Sequence, residues 1–216
     1  MIERVAVIGA GRVGTAVARA LVGAGFEVTL SGSGDPADLS LLSSIVAPGA
    51  TPQWTREAVS TADLIIIAVP LHRVTTLDPA PFEGKLVVDA MNYWPPVDGE
   101  LAAFEEAPEG SSAVVRGFLP GATVVKTLNH VGYHDLEVDA RAAGHPERRG
   151  LAIAGDDPAA TAAVAAVIER IGYDAVSLPS LAAGAALQPG HAAFGARLAA
   201  NEIIRATRAE NSGAAA

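Results

Sequence analysis

Near the start of the chain runs Val5-Ala6-Val7-Ile8-Gly9-Ala10-Gly11-Arg12-Val13-Gly14, whose glycine spacing suits it to a chemical task. A short apolar run enters Gly-x-Gly-x-x-Gly, after which Val13, Val17, Ala20, Leu21 and Ala24 recur on one helical face. The chemistry served is the holding of a dinucleotide. Gly9 permits the tight turn, Gly11 lets backbone approach a pyrophosphate, and Gly14 lets helix and strand pack closely. Unpaired N–H groups and the positive end of the helix dipole then face the phosphates, so Gly9, Ala10, Gly11, Arg12, Val13 and Gly14 are assigned to the pyrophosphate. Glycine-rich turns alone are common. Here a strand precedes the turn, a helix follows it, and a second strand, Phe26 to Leu30, closes the unit.

The acidic residue that usually binds the ribose 2′-hydroxyl at the tip of the second strand is absent; Ser31, Gly32 and Ser33 stand there. Serine hydroxyls would donate to a 2′-phosphate that a carboxylate would repel, so Ser31 and Ser33 are assigned to it and the pattern leans to NADP. Arg12 is the nearest cation in sequence and reads equally well as an exposed arginine on the first helical turn. Asp35, followed by Pro36, reads as a helix cap in preference to a ribose ligand.

Stepping outward to the elements, Leu64 to Val69 is a continuous apolar run of the kind that forms a central parallel strand buried on both faces. Leu86 to Asp89, Ala122 to Lys126, Leu151 to Ala154 and Ala175 to Leu178 read as further strands. A third strand is expected near Ala50 to Gln53, and Thr55 and Ser111 are expected to cap short helices. A helix opening at Asp35 is expected to turn Leu39, Leu42, Ile45 and Val46 inward. A final helix is expected from Ala192 to Ala209, with Ser212 to Ala216 fraying. Alternating strands and helices predict an α/β, Rossmann-type, doubly wound parallel sheet. The expected division is a dinucleotide-binding domain over 1–154 and a small C-terminal lobe over 155–216.

Ligands of such sheets collect at the carboxyl ends of the strands. Those ends carry Ala68, Val69 and Pro70 with His72, then Asp89 to Asn92, then Lys126 to His130. Val69 and Pro70 would wall the nicotinamide, and Asn92, Lys126 and Asn129 are the candidates beside a second ring; a helix cap or loop hydrogen bond would use the same residue types. Residues 129–149 lack a clean period, which in a compact domain marks a functional loop. Arg141, His145, Arg148 and Arg149 within it would receive an acidic cofactor tail or form a solvated loop.

Composition narrows the classes. A formal net charge of −9 argues against nucleic acid and acidic membrane surfaces as partners. The absence of cysteine excludes thiol catalysis, disulfides and cysteine-ligated metals. The histidines show no metal-ligand spacing, no Gly-x-Ser-x-Gly elbow occurs, and no apolar run reaches a membrane span of about 18 residues. The expectation is a cytoplasmic protein without signal peptide. Apolar positions Phe194, Leu198, Ile203 and Ile204 near the end predict a homodimer.

Three longer motifs carry a resemblance: Val-Val-Asp-Ala-Met-Asn-Tyr-Trp-Pro-Pro (87–96), Val-Val-Lys-Thr-Leu-Asn-His-Val-Gly-Tyr-His-Asp-Leu (124–136) and Ala-Gly-Asp-Asp-Pro (154–158), with Leu187-Gln188-Pro189-Gly190 later. The chain resembles the NADPH-dependent deazaflavin reductases, the NADP oxidoreductases of coenzyme F-420, in their actinobacterial form. The resemblance implies a Rossmann domain with a small C-terminal lobe, usually dimeric, and hydride exchange between NADPH and the deazaflavin. Both reacting carbons then belong to cofactors, so no catalytic side chain is required. Under this reading Lys126 would offset charge on a reduced deazaflavin or simply cap a strand end. The family places Ser-Arg after the second strand, with the arginine on the 2′-phosphate; here Ser33 is followed by Gly34. Alternatives are an NADPH reductase of another acceptor (imine, flavin or chelated metal) and a non-catalytic NADP-binding redox sensor.

Overall fold

β1 (Arg4–Ile8), β2 (Glu27–Ser31), β3 (Thr51–Pro52), β4 (Leu64–Ile67), β5 (Leu86–Asp89), β6 (Thr123–Lys126), β7 (Gly150–Gly155) and β8 (Asp174–Leu178) form one eight-stranded sheet in the order β3-β2-β1-β4-β5-β6-β7-β8. It is seen in a computed structural model that describes residues 1–213, with side chains described to residue 209. Every neighbouring pair is parallel except β6 and β7. The helices are α1 (Arg12–Gly23), α2 (Pro36–Val46), α3 (Thr55–Thr61), α4 (Pro95–Asp98), α5 (Ala102–Glu105), α6 (Ser111–Phe118), α7 (Asp135–Val138), α8 (Pro158–Arg170) and α9 (Ala200–Gly213). No helix among the described residues is long and apolar enough to cross a membrane.

The pleat of β4 explains the two-layered core. Leu64 and Ile66 pack with Val5, Val7, Leu21 and Val88 on one face, while Ile65 and Ile67 pack with Ala6, Val59, Phe82 and Leu119 on the other. All four β4 residues are buried, as a continuous apolar run requires in a sheet covered on both sides. Register then aligns the carboxyl ends: Ile8 pairs with Ser31 and Ile67, Ile67 with Asp89, and Asp89 with Lys126. Strand order reverses at β1, whose neighbours are β2 and β4, and this is where a ligand crevice opens.

β7 departs from a purely parallel sheet. Only Ala154 and Gly155 pair with β6, so Gly150–Ile153 run on past its end, paired with β8. The division expected between residues 154 and 155 thus falls at the end of a strand shared with the main sheet. Beyond it, α8 packs on β7 and β8, and Ile203 of α9 is buried with Ala152, Ala154, Val176 and Leu187.

Several local expectations change. Asp35 does cap α2, its Oδ1 accepting from the Ala37 N–H at 2.8 Å. Only part of the apolar face expected of α2 turns inward: Leu39 packs against the core and Val46 is half-buried, but Leu42 and Ile45 are exposed, and Ser43 is the fully buried residue. Trp54 and Gly110, not Thr55 and Ser111, occupy the caps of α3 and α6. The last helix starts at Ala200, leaving Phe194 in a preceding loop. Leu198 and Ile204 pack on the β7–β8 core with Ile203, so Phe194 is the exposed member of the four positions behind the homodimer expectation. Of the stretch expected to fray, 212–213 close α9 and 214–216 lie outside the described residues.

Candidate dinucleotide site

Gly9 follows β1 directly and has φ +119°, which L side chains rarely adopt. Its N–H donates to the Ser31 carbonyl at 2.8 Å, and a Cβ there would lie 2.4 Å from the Ala68 carbonyl oxygen. Gly14 is tighter still: a Cβ would lie 1.7 Å from the Gly9 carbonyl oxygen. Beyond its chain neighbours, Gly11 has no protein atom within 4 Å of a Cβ position. Two of the glycines therefore serve close packing, while the third leaves open space at the start of α1. There the first-turn N–H groups lack intrahelical acceptors, which suits an anion.

A cleft of about 1000 Å³ opens at this point. Gly9, Ala10, Gly11, Ser31, Ser33, Ala68, Val69 and Pro70 all line it. Ser31 lines it while nearly buried, its hydroxyl 2.6 Å from that of Thr55. Ser33 is exposed. Arg12, Val13 and Gly14 form the first turn of α1 beside the cleft, and an Arg12 Nη donates to the Tyr133 hydroxyl at 3.4 Å. The structure adds Trp54, Thr55, Arg56, Arg73 and Asp78 to the wall. Sequence reasoning missed them because it read only the tip of β2. Since β3 runs parallel to β2, with Leu30 opposite Pro52, Trp54, Thr55 and Arg56 must emerge beside Ser31, while Arg73 and Asp78 come from the segment after β4.

The other candidates stand away from that wall. His72 turns to Asp98, whose Oδ1 accepts from its N–H at 3.1 Å and lies 2.9 Å from its Nδ1. Asp98 also accepts from the Trp94 N–H at 2.8 Å, so it ties the turn after β4 to the loop after β5.

Asn92, Lys126 and Asn129 do come together at the ends of β5 and β6. The Asn92 amide donates to the Asn129 carbonyl at 2.7 Å; the Asn129 amide donates to Asn92 Oδ1 at 3.0 Å and to the Leu187 carbonyl at 2.7 Å. Lys126 is buried, donating to Asp89 at 3.2 Å and to the Met91 carbonyl. Burial pulls its ammonium below the usual lysine range, opposed by the charge of Asp89. Ser112 donates to the same Asp89 at 2.6 Å. Lys126 thus reaches a ligand only through the Met91–Asn92 backbone that it fixes.

Two neighbours adjoin this cluster. Leu128 has φ +64° and is the one non-glycine residue at positive φ among those described, a conformation typical of functional segments. His130 is buried; its Nε2 accepts from the Ala152 N–H at 3.1 Å, which assigns its proton to Nδ1, facing Asn129 Oδ1 at 3.3 Å. Burial, helped by the charges of Arg149 and Lys126, lowers its pKa from 6.5 to about 3, so the ring stays neutral.

The arginine-rich loop resolves differently. Arg148 is buried, donating to Glu169 at 2.6 Å and the Tyr173 carbonyl at 2.6 Å and pairing with Asp174 at 2.9 Å. Arg149 is buried against Asp139 and the Ala196 carbonyl. Arg141 holds the Val138 and Ala140 carbonyls, while His145 is exposed and accepts from the Glu147 N–H. Both buried arginines are fastened to protein groups, which leaves neither for a cofactor tail.

Residues 4–93, from β1 to the loop after β5, match the family model of coenzyme F420-dependent NADP oxidoreductases. Among solved structures, a hypothetical protein from Sinorhizobium meliloti, SMa0349, is 27% identical, with 90% of this chain and 94% of that one covered and a TM-score of 0.74. A candidate F420-dependent NADP-reductase from an Arthrobacter species is 24% identical, with coverages of 86% and 88% and a TM-score of 0.69. An imine reductase from Myxococcus stipitatus, in complex with NADP+, is 20% identical and has a TM-score of 0.60; 85% of this chain covers 58% of that one. No curated protein matches. The chain has the dinucleotide-binding fold of NADP oxidoreductases, and its first 90 or so residues are similar to the F420-dependent family.

Proposed function

We propose that this protein is an NADP(H)-dependent oxidoreductase that exchanges a hydride with the deazaflavin coenzyme F-420. The observation that carries the dinucleotide half is the cleft at the β1–β4 switch point, with open space at Gly11 and the start of α1 facing it. The F-420 half is supported by the family match over residues 4–93 and by the motifs at 87–96 and 124–136. Bound NADPH would supply the hydride, with the deazaflavin as its acceptor.

The residues present fit the first cofactor. First-turn N–H groups of α1 would hold the pyrophosphate, Val69 and Pro70 would bound the nicotinamide, and Arg56 and Arg73 are the cations along the adenosine end. At the second ring, the Asn92–Asn129 pair would form a fixed polar floor, the Asn92 amide held by the Asn129 carbonyl and the Asn129 amide by Asn92 Oδ1 and the Leu187 carbonyl. Its part is to set shape and exclude water, with Lys126 and Asp89 positioning it from beneath. No side chain needs to accept or donate the transferred hydride.

The fold shared with an imine reductase keeps a second reading, reduction of another acceptor, within one test. Purified protein is mixed with NADPH and oxidised deazaflavin, with NADH and a free flavin in parallel. Turnover of the deazaflavin, absent with the free flavin, is expected. NADPH bound but oxidised by neither acceptor overturns the F-420 assignment and leaves another acceptor or a redox sensor.

A further inference from the structure

We propose that Asp78 sets the preference of this cleft between NADPH and NADH by holding Arg56, the cation placed to take a 2′-phosphate; the inference rests on the cleft being the dinucleotide site. At the tip of β2, residues 31–34 line the cleft without a charge, and the acidic Asp35 and Asp38 follow. Positive charge has to come from elsewhere. Arg56 follows Thr55, whose hydroxyl is bonded to Ser31 at 2.6 Å, so its backbone is anchored to the strand tip where an adenosine ribose would lie.

Arg56 is already engaged. Its Nη2 donates to Asp78 Oδ2 at 2.7 Å, and Asp78 is itself stationed by the Ala80 N–H, donated to its Oδ1 at 3.1 Å. The two side chains are 72% and 55% exposed, the setting in which an ion pair is weak and readily exchanged for another anion. A ribose diol leaves the pair intact. A 2′-phosphate gains Arg56 only by drawing it from Asp78, so part of its binding energy is spent on that exchange. The cleft therefore takes both dinucleotides, with a preference smaller than a free arginine would give.

The test is the dissociation constant of NADH and of NADPH, read by fluorescence, for the natural protein, Asp78→Asn, Arg56→Gln and the double variant. The natural protein is expected to bind both within about tenfold of each other. Asp78→Asn should tighten NADPH by about two- to fivefold and leave NADH unchanged. Arg56→Gln should weaken NADPH by about tenfold or more, the loss of a charge-assisted hydrogen bond. In the Arg56→Gln background, Asp78→Asn should do nothing further. A gain that persists in that background overturns the proposal, because Asp78 would then act by repulsion alone. An NADPH:NADH ratio unmoved by either variant overturns it as well while leaving the cleft assignment standing. Failure of the natural protein to bind either dinucleotide overturns both.

Discussion

At the scale of single residues, the glycine turn separates two roles that the sequence pattern presents together. A Cβ at Gly14 would sit 1.7 Å from a backbone oxygen that cannot move without opening the β1–α1 turn. Gly14→Ala is therefore expected to destabilise the fold by more than about 2 kcal/mol in urea denaturation. A Cβ at Gly11 meets nothing within 4 Å, so Gly11→Ala should leave stability within about 0.5 kcal/mol while weakening dinucleotide binding. Equal stability losses for the two would mean that Gly11 also serves packing. The roles of these glycines were legible because the need for close approach is written in residue type. The fate of Arg148 and Arg149 was not: a run of arginines is consistent with a binding loop until Glu169, Asp174 and Asp139 arrive from other parts of the chain.

At the scale of elements, apolar periodicity located the strands well because β4 and its neighbours are buried on both faces. It misjudged half of the α2 face, where Leu42 and Ile45 are 48% and 71% exposed, since a period states that a face exists and not that something covers it. It located β7 but not its direction: only the four-residue α7 lies between β6 and β7, and the chain turns back antiparallel to β6. What secures this return is side-chain bonding at the end of β6: Thr127 donates to the Ala152 carbonyl at 2.7 Å, and His130 accepts from the Ala152 N–H. The second bond makes the join pH-dependent. His130 titrates near 3 in the fold against an ordinary 6.5, so as pH falls below 6.5 the unfolded chain takes up a proton that the fold refuses. Stability present above pH 6.5 is thus lost as pH falls toward 3, by up to ~1.4 kcal/mol per pH unit. Denaturation between about pH 6.5 and 5, above the range where carboxylates dominate, should show this slope. His130→Gln should begin less stable by roughly 1–3 kcal/mol and lose most of the slope. An unchanged slope in the variant would place the titrating group elsewhere.

At the scale of the whole molecule, the charge that argues against nucleic acid also acts on the proposed cofactor. The chain carries −9 formally, and the cleft is lined by three carboxylates, Asp35, Asp38 and Asp78, against two guanidinium groups, Arg56 and Arg73. A dinucleotide approaches as an anion, and NADPH brings a further phosphate worth about −1.5 to −2. Encounter is therefore opposed by the long-range field, while the contacts that hold the ligand are local. Salt separates the two, because the screening length shrinks from about 30 Å at 0.01 M to about 8 Å at 0.15 M. Over that range the association rate constant of NADPH, measured by stopped-flow fluorescence, should rise, and that of NADH should rise less. The dissociation rate should rise too, as the Arg56 and Arg73 contacts are screened, so the equilibrium constant alone would hide the effect. A fall in the NADPH association rate with salt would mean that the arginines at the cleft mouth outweigh the other charges of the molecule and steer the cofactor in.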